Sequence, residues 1–227
     1  GRVWAASSNT ERQTVYWSDL LIGNDFDGGS SGSINVGLYW PDGADEIVGL
    51  AAHNGFLIIF GKHSIIVYDG ATSPAEMTLA DTVAGIGCVN RDTVQYTGTD
   101  LLFLSHTGLK SFGRTIQEKS MPISSLSGNI TKDLIAALQN ETEFFRSVYS
   151  PEEGFYLLTF TGQDMTYCFD VRGTLENGSY RVTRWPSTGF TSFTTLTDGT
   201  LYIGTSNGIS THTGYTDNNV SYRFQYY

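Results

Sequence analysis

Apolar residues along this chain come in short blocks of four to six, broken by small polar corners, and the clearest example lies at residues 55–70. There GFLIIFGKHSIIVYDG sets a run at 56–60 against a second at 65–68, with Gly61 and a polar group up to Ser64 at the corner. Both arms are β-branched and aromatic, which is the composition of an antiparallel hairpin. Similar blocks begin at residues 100, 154 and 199, in steps of 45, 54 and 45, and a comparable hairpin starts at residue 1. Their corners hold His106-Thr107-Gly108, residues 161–164 and Ser206-Asn207-Gly208, the last with the Asn-Gly pair that favours tight hairpin turns. A recurring unit of that length, with about four short strands each, is the pattern of β-propeller blades. A single such unit cannot bury its own face, so neighbours must stack. A β-sandwich would give no reason for the period. The expected fold is therefore all-β, a propeller-like array of about five hairpin-based blades read as one domain over 1–227.

Between the hairpins the pattern predicts strands at 14–18, 34–39, 46–53, 92–96, 144–150, 180–185, 190–196 and 220–227. Residues 24–33, NDFDGGSSGS, have no apolar period and read as a loop, and 71–84 read as mixed and polar. One helix is expected at 129–140, with Asn129 as N-cap and Ile130, Leu134, Ile135 and Leu138 at helical spacing. It explains the longer step as an insertion. Strand-like sequence at both ends suggests a segment of a larger polypeptide.

Composition agrees with a sheet protein rich in turns: 26 glycines, 13% aromatics and only 5 prolines among 227 residues. The formal charge of −10 argues against a surface that neutralises phosphates. No apolar run is long enough to cross a bilayer as a helix, so no membrane anchor is expected. Cys88 and Cys168 have no metal-type spacing and read as two buried thiols.

Candidate chemistry is sparse. The four histidines (His53, His63, His106, His212) have no carboxylate or cysteine at fixed spacing and read as turn or surface residues. Asp25-Phe26-Asp27-Gly28 faintly resembles a calcium loop but lacks further acidic ligands and a terminal Glu. Asp42, Asp45 and Glu46 make a second acidic group. GxSxG, HExxH and GxxxxGK[ST] are absent, and Gly85-Ile86-Gly87 is not followed by a helix, so neither an enzyme nor a cofactor is expected. The Asn-x-Ser/Thr matches at Asn129, Asn140, Asn177 and Asn219 are of the frequency expected in a chain rich in these residues.

The run 46–112 carries a resemblance. EIVGLAAHNGFLIIFGKHSIIVYDG is followed by a polar segment and then by GIGCVNRDTVQYTGTDLLFLSHTGLKSF, and upstream TVYWSD at 14–19 precedes the acidic Asp25-Phe26-Asp27. In order and spacing these motifs resemble the tail nozzle (tail tubular, packaged-DNA stabilisation) proteins of short-tailed bacteriophages. The resemblance covers about half of the chain and weakens after residue 120. It implies a structural virion protein and no enzyme: a hexameric ring of copies, contacts with tail adaptor and tail fibre proteins, and genomic DNA passing through without specific binding. It also implies an acidic lumen, which places Asp25, Asp27, Asp42, Asp45 and Glu46 as candidates for a channel or subunit-interface loop. The alternative is a carbohydrate- or protein-binding propeller, for which Trp4, Trp17, Trp40 and Trp185 offer stacking faces. A propeller hydrolase would need converging arginines or a carboxylate pair, and 13 Lys and Arg in total with no Asp-box repeat speak against it.

Overall fold

A computed structural model describes residues 1–119, 125–186, 189–212, 216–217 and 220–221. The chain divides into two compact units, Gly1–Arg91 with Gly113–Pro122, and Asp92–Phe112 with Ile123–Tyr227.

The first unit holds two antiparallel sheets. In one, β1 (Trp4–Ala6), β2 (Thr14–Trp17) and β3 (Gly32–Asn35) lie in chain order. In the other, β4 (Ile47–His53), β5 (Phe56–Gly61), β6 (Ile65–Asp69) and β7 (Thr78–Val83) do the same. The sheets pack through one core: Val15 and Val36 meet Trp40, Ile47, Leu57, Ile59, Ile66 and Tyr68. Leu57, Ile59, Ile66 and Tyr68 alternate with Ile58, Phe60, Ile65 and Val67, which are also buried. A strand covered on both faces must be a continuous apolar run, which is how β5 and β6 read. Register follows the hairpin, with Phe60 opposite Ile65 and Leu57 opposite Tyr68.

In the second unit β8 (Gln95–Tyr96), β9 (Leu101–Ser105) and β10 (Gly108–Ser111) form a three-stranded meander. Helix α1 (Phe112–Gln117) belongs to the first unit from residue 113 on, and in the second unit α2 (Thr131–Asn140) precedes a four-stranded meander. Its strands are β11 (Phe145–Ser150), β12 (Phe155–Phe160), β13 (Met165–Thr174) and β14 (Tyr180–Pro186). A third meander follows, of β15 (Phe190–Thr195), β16 (Leu201–Thr205) and β17 (Gly208–Thr211), and β18 (Thr216–Asp217) pairs with β19 (Val220–Ser221). Val148, Phe155 and Leu157 of one sheet pack on Leu201 and Ile203 of the next. Polar contacts join the preceding pair of sheets: the Tyr156 hydroxyl donates to the Thr93 carbonyl at 2.8 Å, and Arg146 pairs with Asp92 at 2.7 Å.

The architecture is thus all-β and propeller-like. Up-and-down meanders follow one another along the chain. A shared core joins the two sheets of the first unit, and another joins the four-stranded sheet of the second unit to the one that follows it. The expected hairpins are β1–β2, β5–β6, β9–β10, β12–β13 and β16–β17.

Four local expectations are corrected. The third strand is Gly32–Asn35 and not 34–39, because Gly32 lets the backbone run against the Trp17 indole, where a Cβ would sit 2.7 Å from Cζ2. The 71–84 stretch contains β7, a largely exposed edge strand whose TLADTV has no apolar face to signal it. Residues 92–96 are split, Arg91–Thr93 forming a 3-10 turn before β8. Asn129 is not the cap of α2: it lies within the 3-10 turn Gly128–Ile130 and gives its side-chain N–H to the Tyr180 carbonyl at 3.3 Å. The helix is tied back instead by the Thr131 hydroxyl, which donates to the Ser127 carbonyl at 3.0 Å. Helix α1 had no signal in the apolar spacing. Of the strand expected at 220–227 only Val220–Ser221 is described; the rest lies outside the described residues.

Candidate functional site

The sequence-nominated carboxylates all lie in the first unit and divide between two loops. Asp25 and Asp27 sit in the 19–31 loop between β2 and β3. Asp25 closes an Asx turn, its Oδ1 accepting the N–H groups of Asp27 at 3.1 Å and Gly28 at 2.8 Å. Asp27 is exposed. The loop's organiser is Asp19, which sequence reading passed over. Its Oδ1 accepts the Ser30 N–H and hydroxyl and the Leu20 N–H, each at 2.8 Å. The signal was present as an Asp at a strand end facing a Gly/Ser-rich loop, but its partner lies 11 residues away. Trp17 Nε1 donates to the Ser30 carbonyl at 3.1 Å and ties the loop to β2.

The Ser30 N–H and hydroxyl, then the Leu20 N–H, hold the Asp19 carboxyl below the usual carboxylate range. A depressed folded value adds stability that is present above the unfolded value and lost as pH falls through the folded one. The Ser30 amide resonance should therefore titrate below the range of an ordinary aspartate, and an NMR titration should show that step vanish in Asp19→Asn. A pH-independent Ser30 amide in the natural chain would refute this role of Asp19.

The second loop joins β3 to β4. Asp42 is exposed and accepts the Gly85 N–H at 2.8 Å. Asp45 is buried and turns inward, away from the role its charge suggested. Its two carboxylate oxygens accept the Lys62 N–H at 3.1 Å and the His63 N–H at 2.9 Å, which are the corner of the β5–β6 hairpin. Glu46 is shared between Lys62 at 2.7 Å and Arg12 at 3.1 Å, and those cations hold its carboxyl below the usual range, Lys62 the more strongly. Asp45 is therefore consumed within the fold and Glu46 is matched by two cations, while Asp25, Asp27 and Asp42 retain partly or fully exposed positions.

A groove of about 600 Å³ also lies in this unit, over the side of β4 and β5 that faces β1. Trp4, Leu50, Phe56 and Leu57 line it, with Leu20 and Arg2 on its rim. Of the four tryptophans proposed as stacking faces, Trp4 reaches this groove, whereas Trp17 and Trp40 are buried and Trp185 packs edge-on against Phe155 and Phe190.

Among the described residues no cluster of three His, Cys, Asp or Glu side chains could hold a metal ion, and no helix is long and apolar enough to cross a membrane. His63 serves through its backbone N–H at the hairpin corner, and His212 stacks edge-on to Phe155 with Nδ1 3.6 Å from Glu153. Neither cysteine is bridged, and burial pushes the Cys168 thiol up to about 12, so it is a poor nucleophile at neutral pH.

No protein-family model matches the chain, and no curated protein does. Among solved structures it is similar to a functionally unknown protein from Desulfotomaculum acetoxidans, with a TM-score of 0.53, 12% identity, and 93% of this chain against 61% of that one. It is also similar to PorZ, a surface component of the type-IX secretion system of Porphyromonas gingivalis, with a TM-score of 0.41, 11% identity, and 88% of this chain against 23% of that one. A third likeness is to the WD40 β-propeller domain of Doa1, with a TM-score of 0.39, 12% identity, and 91% of this chain against 75% of that one. The chain thus spans less than two thirds of the first two structures. At such identities the first likeness bears on fold alone, and the other two carry no argument.

Proposed function

We propose that this chain is a structural component of the tail of a short-tailed bacteriophage, part of a nozzle ring that channels and retains genomic DNA and supports tail fibres. The observation that carries the reading is the ordered string of motifs at 46–112. Each part of that string has a structural reason. The hairpin 55–70 is the central pair of its sheet, the GIGC segment lies on its corner, and 100–113 contains the β9–β10 hairpin. Such a protein works by shape and repulsion. DNA carries one negative charge per ~1.7 Å of helix axis, so a wall that must let it leave quickly should be acidic rather than basic. A chain of net charge −10 suits that wall. On this reading Asp25 and Asp27 in one loop, and Asp42 and Glu46 in another, would face the channel or a neighbouring copy, while Asp45 is taken up inside the fold. The partners are further copies of the chain, an adaptor above and fibres outside, and the location is the virion.

Native mass spectrometry and negative-stain imaging of the purified chain should show a ring, six copies being expected. A mobility-shift assay at physiological salt should show duplex DNA unretarded. A chain that stays monomeric at high concentration, or that retards DNA tightly, overturns the reading. Selective capture on a glycan array would replace it with a recognition module.

A further inference from the structure

We propose that the Leu38-Tyr39 turn and the Leu79 side of β7 dock on the β15–β17 sheet of a second copy of this chain. This docking rests on the ring reading, which leaves the Asp42 loop either at the channel or against a neighbouring copy; exposed apolar side chains decide for the copy. Leu38 is 96% exposed, and Tyr39 and Leu79 are 43% and 42% exposed. Tyr39 and Leu79 flank one buried side chain. The Tyr39 ring stands edge-on to Tyr68 with centroids 6.2 Å apart, and Leu79 is the cross-strand neighbour of Tyr68. The turn is braced. Val36 N–H donates to the Gln13 carbonyl at 2.9 Å, Gly37 N–H to Asn35 Oδ1 at 2.8 Å, and Tyr39 N–H to the Val36 carbonyl at 3.0 Å. An aliphatic side chain held out by a braced turn gains free energy only when another surface covers it.

Tyr68 adds a polar point. It is 2% exposed, and its hydroxyl has no hydrogen-bond partner among the described residues. Burial, then the neighbouring Tyr39, pushes its hydroxyl up to about 12, so it remains a donor at neutral pH. The exposed Tyr39 beside it marks the side from which a backbone carbonyl can arrive.

Charge selects the occupant. Residues 13–90 contain one Lys or Arg, Lys62, and Glu46 takes it up at 2.7 Å. Asp42, Asp69 and Glu76 are exposed. Duplex DNA and an anionic lipid surface are both repelled there. The cover must be apolar and nearly free of carboxylates, and the chain carries such a surface itself. Residues 189–212 contain no Lys or Arg and a single acid, Asp198. Over β15–β17 lies a groove of about 470 Å³ lined by Phe193, Leu196, Tyr202 and Ile209, of which Leu196 and Ile209 are 48% and 79% exposed. Two different surfaces meeting between copies make a head-to-tail contact, the kind that generates rings.

The test is photo-cross-linking of two isotopically distinct preparations mixed in the presence of duplex DNA. Leu38→benzoylphenylalanine should cross-link to residues 189–212 of a different copy, read as mixed-isotope peptide pairs. Leu38→Asp and Ile209→Asp should each fold by circular dichroism and weaken association at least about tenfold in sedimentation. Tyr68→Phe should weaken it about fivefold with no loss of urea stability. A cross-link to DNA, a cross-link confined to one copy, or association undiminished in either Asp variant overturns the docking and leaves the ring reading standing. A natural chain that stays monomeric overturns both.

Discussion

Replacing Asp45 by Ala should cost the first unit about 3 kcal/mol of stability. The residue is 6% exposed, and its carboxylate accepts the N–H groups of Lys62, His63 and its own neighbour Glu46, at 3.1, 2.9 and 2.8 Å. The first two belong to the corner that joins β5 to β6, so one side chain 17 residues upstream fixes the geometry of the central hairpin. Hydrogen bonds to a charged acceptor are worth roughly 1.5–3 kcal/mol each. Water can reach the corner from the Lys62 side, so the loss is smaller than the sum. Alanine leaves the donors facing a void where the carboxylate stood. Asn keeps one acceptor but turns an NH₂ toward the remaining donors, so about half the loss, roughly 1.5 kcal/mol, is expected. Glu is worse than Asn, because the carboxylate already lies against Gly61, where a Cβ would be 2.4 Å from Oδ2. Urea unfolding would report the stability, and hydrogen exchange at the Lys62 and His63 amides would localise it. An Asp45→Ala chain within about 0.5 kcal/mol of the natural one, with both amides still protected, would sink this account.

Asp45 also marks where sequence reading stops. The five hairpins were legible because both arms carry their own apolar pattern and the corner carries turn residues, all within about 15 positions. The sheet-to-sheet cores followed, since a run buried on both faces is apolar at every position, as in 56–60 and 65–68. Edge strand β7 was invisible for the converse reason: exposed on its faces, it has no pattern. The acidic residues were read by charge and loop context, which locate Asp25, Asp27 and Asp42 correctly in exposed or partly exposed loops. They cannot separate those from Asp45, whose burial depends on a corner formed later in the chain. Asp19 and Arg2 were missed in the same way. Their roles exist only once Ser30 is brought beside β2, and nothing local in Gly1-Arg2-Val3 announces a guanidinium held by two distant carbonyls.

Gly87→Ala should be at least as damaging, about 3 kcal/mol or more, and for a different reason. A Cβ at this position would lie 2.2 Å from the carbonyl carbon and oxygen of Lys62 and 2.4 Å from the His63 nitrogen. All three are backbone atoms, so no side chain can rotate out of the way. The segment is pressed onto the hairpin corner by the next residue, whose N–H donates to the Gly61 carbonyl at 2.8 Å, and Cys88 itself is fully buried. An added methyl must push the segment off the corner and break that bond. Gly85 provides the control two residues away. Its φ of +72° is left-handed, but a Cβ there meets open space. Gly85→Ala should therefore cost only about 1–2 kcal/mol, the conformational penalty alone. A larger loss at Gly85 than at Gly87 would mean that backbone conformation, and not close approach, accounts for the Gly-Ile-Gly-Cys spacing. The two large effects should also couple. Asp45 grips the corner from one side and Gly87 admits the chain on the other, so both substitutions displace residues 61–63. The double variant should then lose less than the sum of the singles, by about 1 kcal/mol in a double-mutant cycle, whereas full additivity would show that the corner is held at two independent points.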